Sequence, residues 1–93
     1  MIGLQVRAEN GAVVANGTCG YEWDNRIERS QFPLLGHVCP FTDTMFNGWQ
    51  IRSLLDELAR VPADWDDGWV AEVRRLGELA LENPHHYLWF VGD

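Results

Sequence analysis

The sequence predicts an α+β fold, a two-layer sandwich in which two amphipathic helices pack on one face of an antiparallel sheet. Two observations carry this prediction. The first third of the chain and its last residues follow the two-residue period of β-strands, whereas residues 43–82 follow the period of helices. A chain of 93 residues has room for one hydrophobic core. We therefore expect residues 1–93 to form a single domain with the element order βββ, loop, αα, β.

The first three predicted strands form a meander. Alternating apolar residues predict a strand over residues 2–8, and Asn10-Gly11 favours a tight hairpin turn because both residues tolerate a positive φ. Residues 12–15 are the predicted return strand, and Asn16-Gly17 is a second turn of the same kind. A third strand is predicted over residues 18–23. It places on one face Cys19, Tyr21 and Trp23.

An irregular apolar segment, residues 24–42, separates these strands from the first predicted helix. Asp43 or Thr44 is the expected N-cap, since either side chain can accept a hydrogen bond from the first turn. The helix is expected to end at about Arg60, because Pro62 cannot continue it. Its predicted buried stripe is Ile51, Leu54, Leu55, Leu58 and Val61.

The second predicted helix begins at Asp64, with Asp67 three residues later in an acidic variant of the capping box, and Asn83-Pro84 ends it. Its predicted buried stripe is Trp69, Val73, Leu76 and Ala80. The final strand is predicted over residues 85–91, which are apolar on both faces. That pattern is typical of a central strand, in which Trp89 and Phe90 point to opposite sides of the sheet.

The chain is strongly acidic. Its formal net charge of -7 comes from 14 acidic and 7 basic residues, and every base is an arginine. Residues 41–93 contain ten of the acids and four arginines, a net charge of −6. This charge disfavours binding to nucleic acid or to an anionic membrane and favours a basic protein partner. The sequence shows no signal-peptide pattern and no long apolar run, so we expect a cytoplasmic location.

The segment Asp64-Trp65-Asp66-Asp67-Gly68-Trp69 is the candidate binding site. Three carboxylates at a helix start are favoured by the helix dipole, which is in itself a sufficient structural reason for them. Tryptophan beside carboxylates is also typical of interfaces, where the acids receive arginine or lysine from a partner. We therefore predict a partner-binding surface formed by Asp64, Trp65, Asp66, Asp67 and Glu57.

The cysteines and histidines allow a metal or catalytic interpretation. Thiolate and imidazole are ligands that zinc prefers, and Cys39 with His37 or His85 would supply a nucleophile and a base. However, one residue separates His37 from Cys39, which is shorter than the usual spacing in zinc sites, and no catalytic motif surrounds the pair. We expect free thiols at Cys19 and Cys39, no metal, no cofactor and no catalytic residue.

Two segments in the second half of the chain resemble a group of small acidic bacterial proteins. Residues Asp43-Thr44-Met45-Phe46-Asn47 are similar to the group's helix start "DTVFN", with Met45 in place of valine. Residues 84–93 are similar to its C-terminal pattern "PHxYLxFxGD". The group is associated with immunity-type proteins, which neutralise toxins. The resemblance therefore implies a protein-binding inhibitor.

The sequence favours a small acidic, non-enzymatic inhibitor of immunity type. It would cover the basic surface of a partner, such as a nuclease toxin whose active site is cationic because it binds phosphates. Two alternatives stay open. The chain can be a general interaction or adaptor domain, or a homodimer, whose acidity serves only solubility. It can also be a metal- or thiol-dependent enzyme that uses Cys39 with His37 or His85.

Overall fold

The computed structural model describes residues 1–92, which form a four-stranded antiparallel sheet and two α-helices. Asp93, the last residue of the C-terminal pattern, lies outside the described residues. The sheet order is β2-β1-β4-β3, and the described chain measures 34 × 25 × 21 Å. The elements are β1 (Gly3–Ala8), β2 (Val13–Asn16), β3 (Thr44–Phe46), α1 (Gly48–Leu58), α2 (Trp69–Leu81) and β4 (His86–Val91). The predicted α+β fold is confirmed.

Strand β4 lies at the centre of the sheet, as its apolar pattern predicts. It pairs antiparallel with β1 along its whole length and with β3 at its C-terminal half. Leu88 and Phe90 are buried on one face, whereas Tyr87 and Trp89 on the other face are only partly buried. Both Trp89 and Phe90 therefore lose solvent on opposite sides of the sheet.

Residues 18–23 do not form the third strand that the sequence predicts. Tyr21 alone pairs with Ile2, through two backbone hydrogen bonds of 3.0 and 2.9 Å. The segment leaves β2 because Thr18 is bound to α2: its amide and its hydroxyl both donate to the Glu72 carboxylate, the hydroxyl at 2.6 Å. Tyr21 is buried while the residues two positions away are exposed. The predicted common face therefore does not form for Cys19, Tyr21 and Trp23.

The segment that the sequence assigns to the start of the first helix forms the edge strand β3 instead. Neither Asp43 nor Thr44 caps α1, because Thr44 begins β3 and Asp43 accepts a hydrogen bond of 3.0 Å from the backbone after β4. The N-cap is Asn47, which accepts from the Gln50 amide at 3.0 Å, while the Gln50 side chain accepts from the Asn47 amide at 2.9 Å. These reciprocal bonds form a capping box, so α1 begins directly after it.

The sequence predicts that the second helix begins at Asp64, but α2 begins at Trp69. Asp64 lies in a short 3-10 turn, Ala63–Trp65, and Gly68 then has a φ of 113°, a left-handed conformation that separates this turn from the helix. Asp64 and Asp67 therefore do not form the predicted capping box.

The apolar stripes of the two helices form the core together with β1 and β4. Helix α1 ends at Leu58, two residues before the predicted end. Within residues 1–92, neither helix is long and apolar enough to cross a bilayer. The predicted stripe residues that are buried are Ile51, Leu54, Leu58, Trp69, Val73, Leu76 and Ala80, and Leu55 and Val61 pack partly buried against them.

The apolar segment between the strands and α1 is part of the core. Its 3-10 turn, Leu35–His37, is attached to α1 by Glu57, whose carboxylate accepts hydrogen bonds of 3.0 to 3.2 Å from the amides of Leu34 and Leu35. Its buried side chains are Ile27, Phe32, Leu35 and Val38. The segment is therefore bonded to α1 and contributes these side chains to the core, whereas its Phe41 is exposed.

Candidate functional site

The predicted binding segment lies beside a second acidic segment that is distant in sequence. Residues 64–67 precede α2, and residues 22–26 follow the pairing of Tyr21 with Ile2. The two segments line a groove of about 280 Å³, which we call the acidic groove. Its walls contain five carboxylates and one arginine. It is lined by Glu22, Trp23, Asp24, Arg26, Asp64, Trp65, Asp66, Asp67 and Trp69.

Trp69 holds the two sides of the acidic groove together from beneath. Its side chain is buried, and its ring lies against the Tyr21 ring with 4.7 Å between centroids. Its indole N–H donates to the backbone carbonyl of Trp65 at 3.1 Å. Because Tyr21 directly precedes residues 22–26 and Trp65 belongs to residues 64–67, this one side chain fixes the relative position of the two segments.

Asp66 has a structural role in the groove. One of its carboxylate oxygens accepts from the amides of Gly68 at 2.8 Å and Val70 at 3.1 Å, so it satisfies amides at the start of α2. The positive end of the helix dipole favours a carboxylate there. Asp64, Asp66 and Asp67 are all exposed, but only Asp66 also has this capping role.

Trp65 is half-buried. One side of the ring packs near Phe32, with 6.4 Å between centroids. On the ring lies the guanidinium of Arg26, whose Cζ is 4.6 Å from the centroid. A cation over an indole face is attracted by the ring quadrupole, so Arg26 covers part of the surface that Trp65 would present to a partner.

Asp24 is the partner of Arg26 in the groove. The guanidinium Nε lies 3.0 Å from both carboxylate oxygens, and Nη2 lies 2.6 Å from one of them. These bonds hold the pKa of Asp24 below its ordinary value and raise the pKa of Arg26. Burial, and next the nearby Asp24 charge, raise the pKa of Tyr21 to about 12. Asp24 is therefore charged and Tyr21 neutral at any physiological pH.

Glu57 does not belong to the binding surface that the sequence predicts. Only 4% of the residue is exposed, and its carboxylate points inward to the amides of Leu34 and Leu35. A buried carboxylate needs such donors, since its charge is otherwise costly to remove from water. The position of Glu57 between Leu54 and Leu58 on the helix already indicated the buried face.

The sequence prediction missed the half of the groove that Glu22, Trp23 and Asp24 provide. Trp23 is 52% exposed, a large exposure for the largest apolar side chain. A signal was present in the sequence, because Glu22-Trp23-Asp24 repeats the acid-Trp-acid order of Asp64-Trp65-Asp66. Only the fold shows that the two copies lie at one site.

Of the cysteines and histidines considered as metal ligands, His37 and Cys39 line the same groove, whereas Cys19 lines a different one and His85 lies beside Glu9. His85, directly before β4, has its Nδ1 3.1 Å from the Glu9 carboxylate. Cys39 accepts a hydrogen bond from the Phe41 amide at 3.5 Å, which lowers the pKa of its thiol. Cys19 and Cys39 are both free thiols. Among residues 1–92, no three His, Cys, Asp or Glu side chains are arranged to hold a metal ion.

Two other grooves lack the charge concentration of the acidic groove. The first, of about 490 Å³, lies between the start of α1 and the end of α2, and contains Trp49, Arg52 and Tyr87. The second, of about 580 Å³, contains His37 and Cys39, together with Arg29 and a single acid, Asp43. The acidic groove combines five carboxylates with the exposed Trp23, whereas the more exposed Trp49 lies in a groove lined by an arginine and no acidic residue. In comparisons with proteins of known family, curated function or solved structure, nothing matches this chain.

Proposed function

We propose that this protein is a small acidic inhibitor of immunity type, which neutralises a basic protein partner by covering its surface with the acidic groove. The observation that carries the proposal is the convergence of two acid-Trp-acid segments from distant parts of the chain. One acidic turn is explained by helix capping. The second segment caps no helix: Asp24 accepts from the amide and guanidinium of Arg26, and the segment adds two carboxylates and an exposed tryptophan to the same place.

The electrostatics of the groove suit a cationic surface. Five carboxylates face one arginine within the groove, in a chain whose formal net charge is -7. Charge of one sign in a concave site raises the local concentration of oppositely charged groups and speeds their encounter. A nuclease toxin is a suitable partner class, because its active site is cationic to bind phosphates. The carboxylates would then take the positions of those phosphates.

The tryptophans supply the apolar part of the interface. Trp23 is 52% exposed and Trp65 is half-buried, so both retain surface that a partner could remove from water. Interfaces typically depend on a few such aromatic anchors surrounded by polar groups. Acidity alone would serve solubility, whereas acidity around two aromatic rings is typical of recognition.

The test is affinity capture from the native host, with wild-type protein and two charge-matched variants. The groove variant is Asp64→Arg with Asp67→Arg, which spares the capping residue Asp66. The control is Glu78→Arg with Glu82→Arg, which makes the same change in net charge at exposed positions in and just after the last turn of α2. We expect wild type and control to capture the same basic protein and the groove variant to lose it.

The captured protein must also be inhibited. An equimolar amount of wild type should abolish its toxic activity, and the groove variant should not. Capture of the same protein by all three forms would contradict a role for the acidic groove. Capture without inhibition would contradict the immunity function and would favour an adaptor.

A further inference from the structure

We propose that the acidic groove selects arginine over lysine side chains of its partner, and that Arg26 occupies one arginine position in the free protein. This inference rests on the proposed function and specifies the chemistry of the partner. One cation, Arg26, already lies in the acidic groove.

Arg26 shows how the groove holds a guanidinium. Its side chain forks onto both oxygens of Asp24, at 2.6 to 3.0 Å, while its Cζ lies 4.6 Å from the centre of the Trp65 ring. The backbone holds it there as well, because the Arg26 amide donates to Asp24 Oδ1 at 2.9 Å and the neighbouring Ile27 is buried. One carboxylate and one indole face thus form a complete arginine position.

Both parts of this position favour a flat cation. A guanidinium is planar, donates in a fork that matches a carboxylate, and stacks on aromatic rings, whereas an ammonium is compact and strongly hydrated. A lysine could neutralise Asp24 but could not form the fork and stack together. The geometry therefore discriminates between two cations of equal charge.

The groove has the same components left over for a partner. Trp23 is 52% exposed, and the carboxylates of Glu22, Asp64 and Asp67 are exposed around it. Arg26 supplies only one positive charge against the five carboxylates that line the groove. A partner arginine can stack on Trp23 beside Arg26, or it can replace Arg26 on Trp65.

The experiment compares hexa-arginine and hexa-lysine peptides, which have equal charge, by calorimetric titration at low ionic strength. We expect wild type to bind hexa-arginine about fivefold more tightly than hexa-lysine, because a guanidinium adds planar stacking and a forked hydrogen bond to the attraction that any cation has for an indole face. Trp23→Ala should reduce that ratio towards one. The control is Trp49→Ala, since Trp49 is 81% exposed, lies near Arg52 and is outside the acidic groove. This variant should leave the ratio unchanged.

Arg26→Lys tests the second half of the inference without changing the net charge. It removes the fork and the stack, so Trp65 becomes available and the ratio should rise about threefold further. If the ratio does not change, Arg26 only connects its segment to Trp65 and does not occupy an arginine position, which would overturn this half of the inference. Thermal melts of each variant exclude unfolding as the cause of a lost preference.

Equal affinity for the two peptides in wild type would overturn the inference and leave a basic partner in place, because charge alone would then decide binding. Failure of both peptides to bind would contradict the proposed function as well. Analytical sedimentation of the free protein tests whether a second copy of this chain occupies the acidic groove. A dimer that Trp23→Ala dissociates would identify a second copy of this chain as the partner and would overturn the inference.

Discussion

Replacing Glu57 by alanine is expected to lower the free energy of unfolding by about 3 kcal/mol, since one buried and one partly buried amide then lose their acceptor. The carboxylate accepts from the amides of Leu34 and Leu35, and the residue is only 4% exposed. The loss should be measured by urea unfolding. It should also free the 3-10 turn that these bonds attach to α1, which amide hydrogen exchange of residues 34–37 would detect.

Two variants separate this effect from the loss of a negative charge. Glu57→Gln keeps the shape and one acceptor oxygen, so it should cost about half as much as the alanine variant. Asp56→Ala removes the neighbouring exposed carboxylate and should change the free energy of unfolding by less than about 0.5 kcal/mol. Equal stability of the two alanine variants would show that the Glu57 carboxylate does not anchor the loop.

The Glu72 carboxylate is expected to contribute about 2–3 kcal/mol to the free energy of unfolding at neutral pH, and this contribution is lost in acid. Hydrogen bonds from the Arg75 side chain, and next from the hydroxyl and amide of Thr18, lower the pKa of Glu72 from 4.5 to about 2. The carboxylate is 7% exposed, but the Arg75 side chain is 50% exposed, so water weakens this ion pair and the lower part of the range is expected.

The direction of the pKa shift determines how the free energy of unfolding changes with pH. Because the pKa in the folded state is lower than in the unfolded state, the contribution is complete above about pH 4.5 and is lost as the pH falls towards 2. The difference in free energy of unfolding between wild type and Glu72→Gln should therefore shrink over that range. Glu78→Gln, an exposed position on the same helix, is the control. Parallel pH profiles for wild type and Glu72→Gln would contradict this assignment.

The parts of the fold that could be predicted are those that local periodicity determines. The stripe of Leu54 and Leu58 and the double-sided apolarity of residues 86–91 depend only on neighbours in sequence. These patterns predicted two helices on an antiparallel sheet with a central last strand, which the structure confirms.

The parts that could not be predicted depend on distant partners. Residues 44–46 have no strong local preference, and pairing with β4 makes them a strand. Thr18 leaves the sheet because Glu72, which is 54 residues away, binds its amide and hydroxyl. The local pattern therefore predicts a helix cap at Thr44 and a strand at Thr18, because it contains neither β4 nor Glu72.

The candidate site also has a part that the local sequence predicts and a part that depends on distant contacts. Asp64, Trp65, Asp66 and Asp67 are contiguous, and their composition alone indicated a surface. The structure then gives these residues different roles, with Asp66 capping α2 and Trp65 beneath Arg26. The contribution of residues 22–24 follows from the contact between Tyr21 and Trp69, which no local pattern contains.

We propose that the acidic groove steers a basic partner towards the protein. The most direct measurement is the association rate constant with the captured partner across a series of ionic strengths, for wild type, Asp64→Arg with Asp67→Arg, and Glu78→Arg with Glu82→Arg. At low salt we expect the groove variant to associate at least about tenfold more slowly than the control, because nearby charges dominate steering. The difference should shrink as salt shortens the screening length to about 8 Å and below. Equal slowing of the two variants at every ionic strength would show that only net charge matters and would contradict steering by the acidic groove.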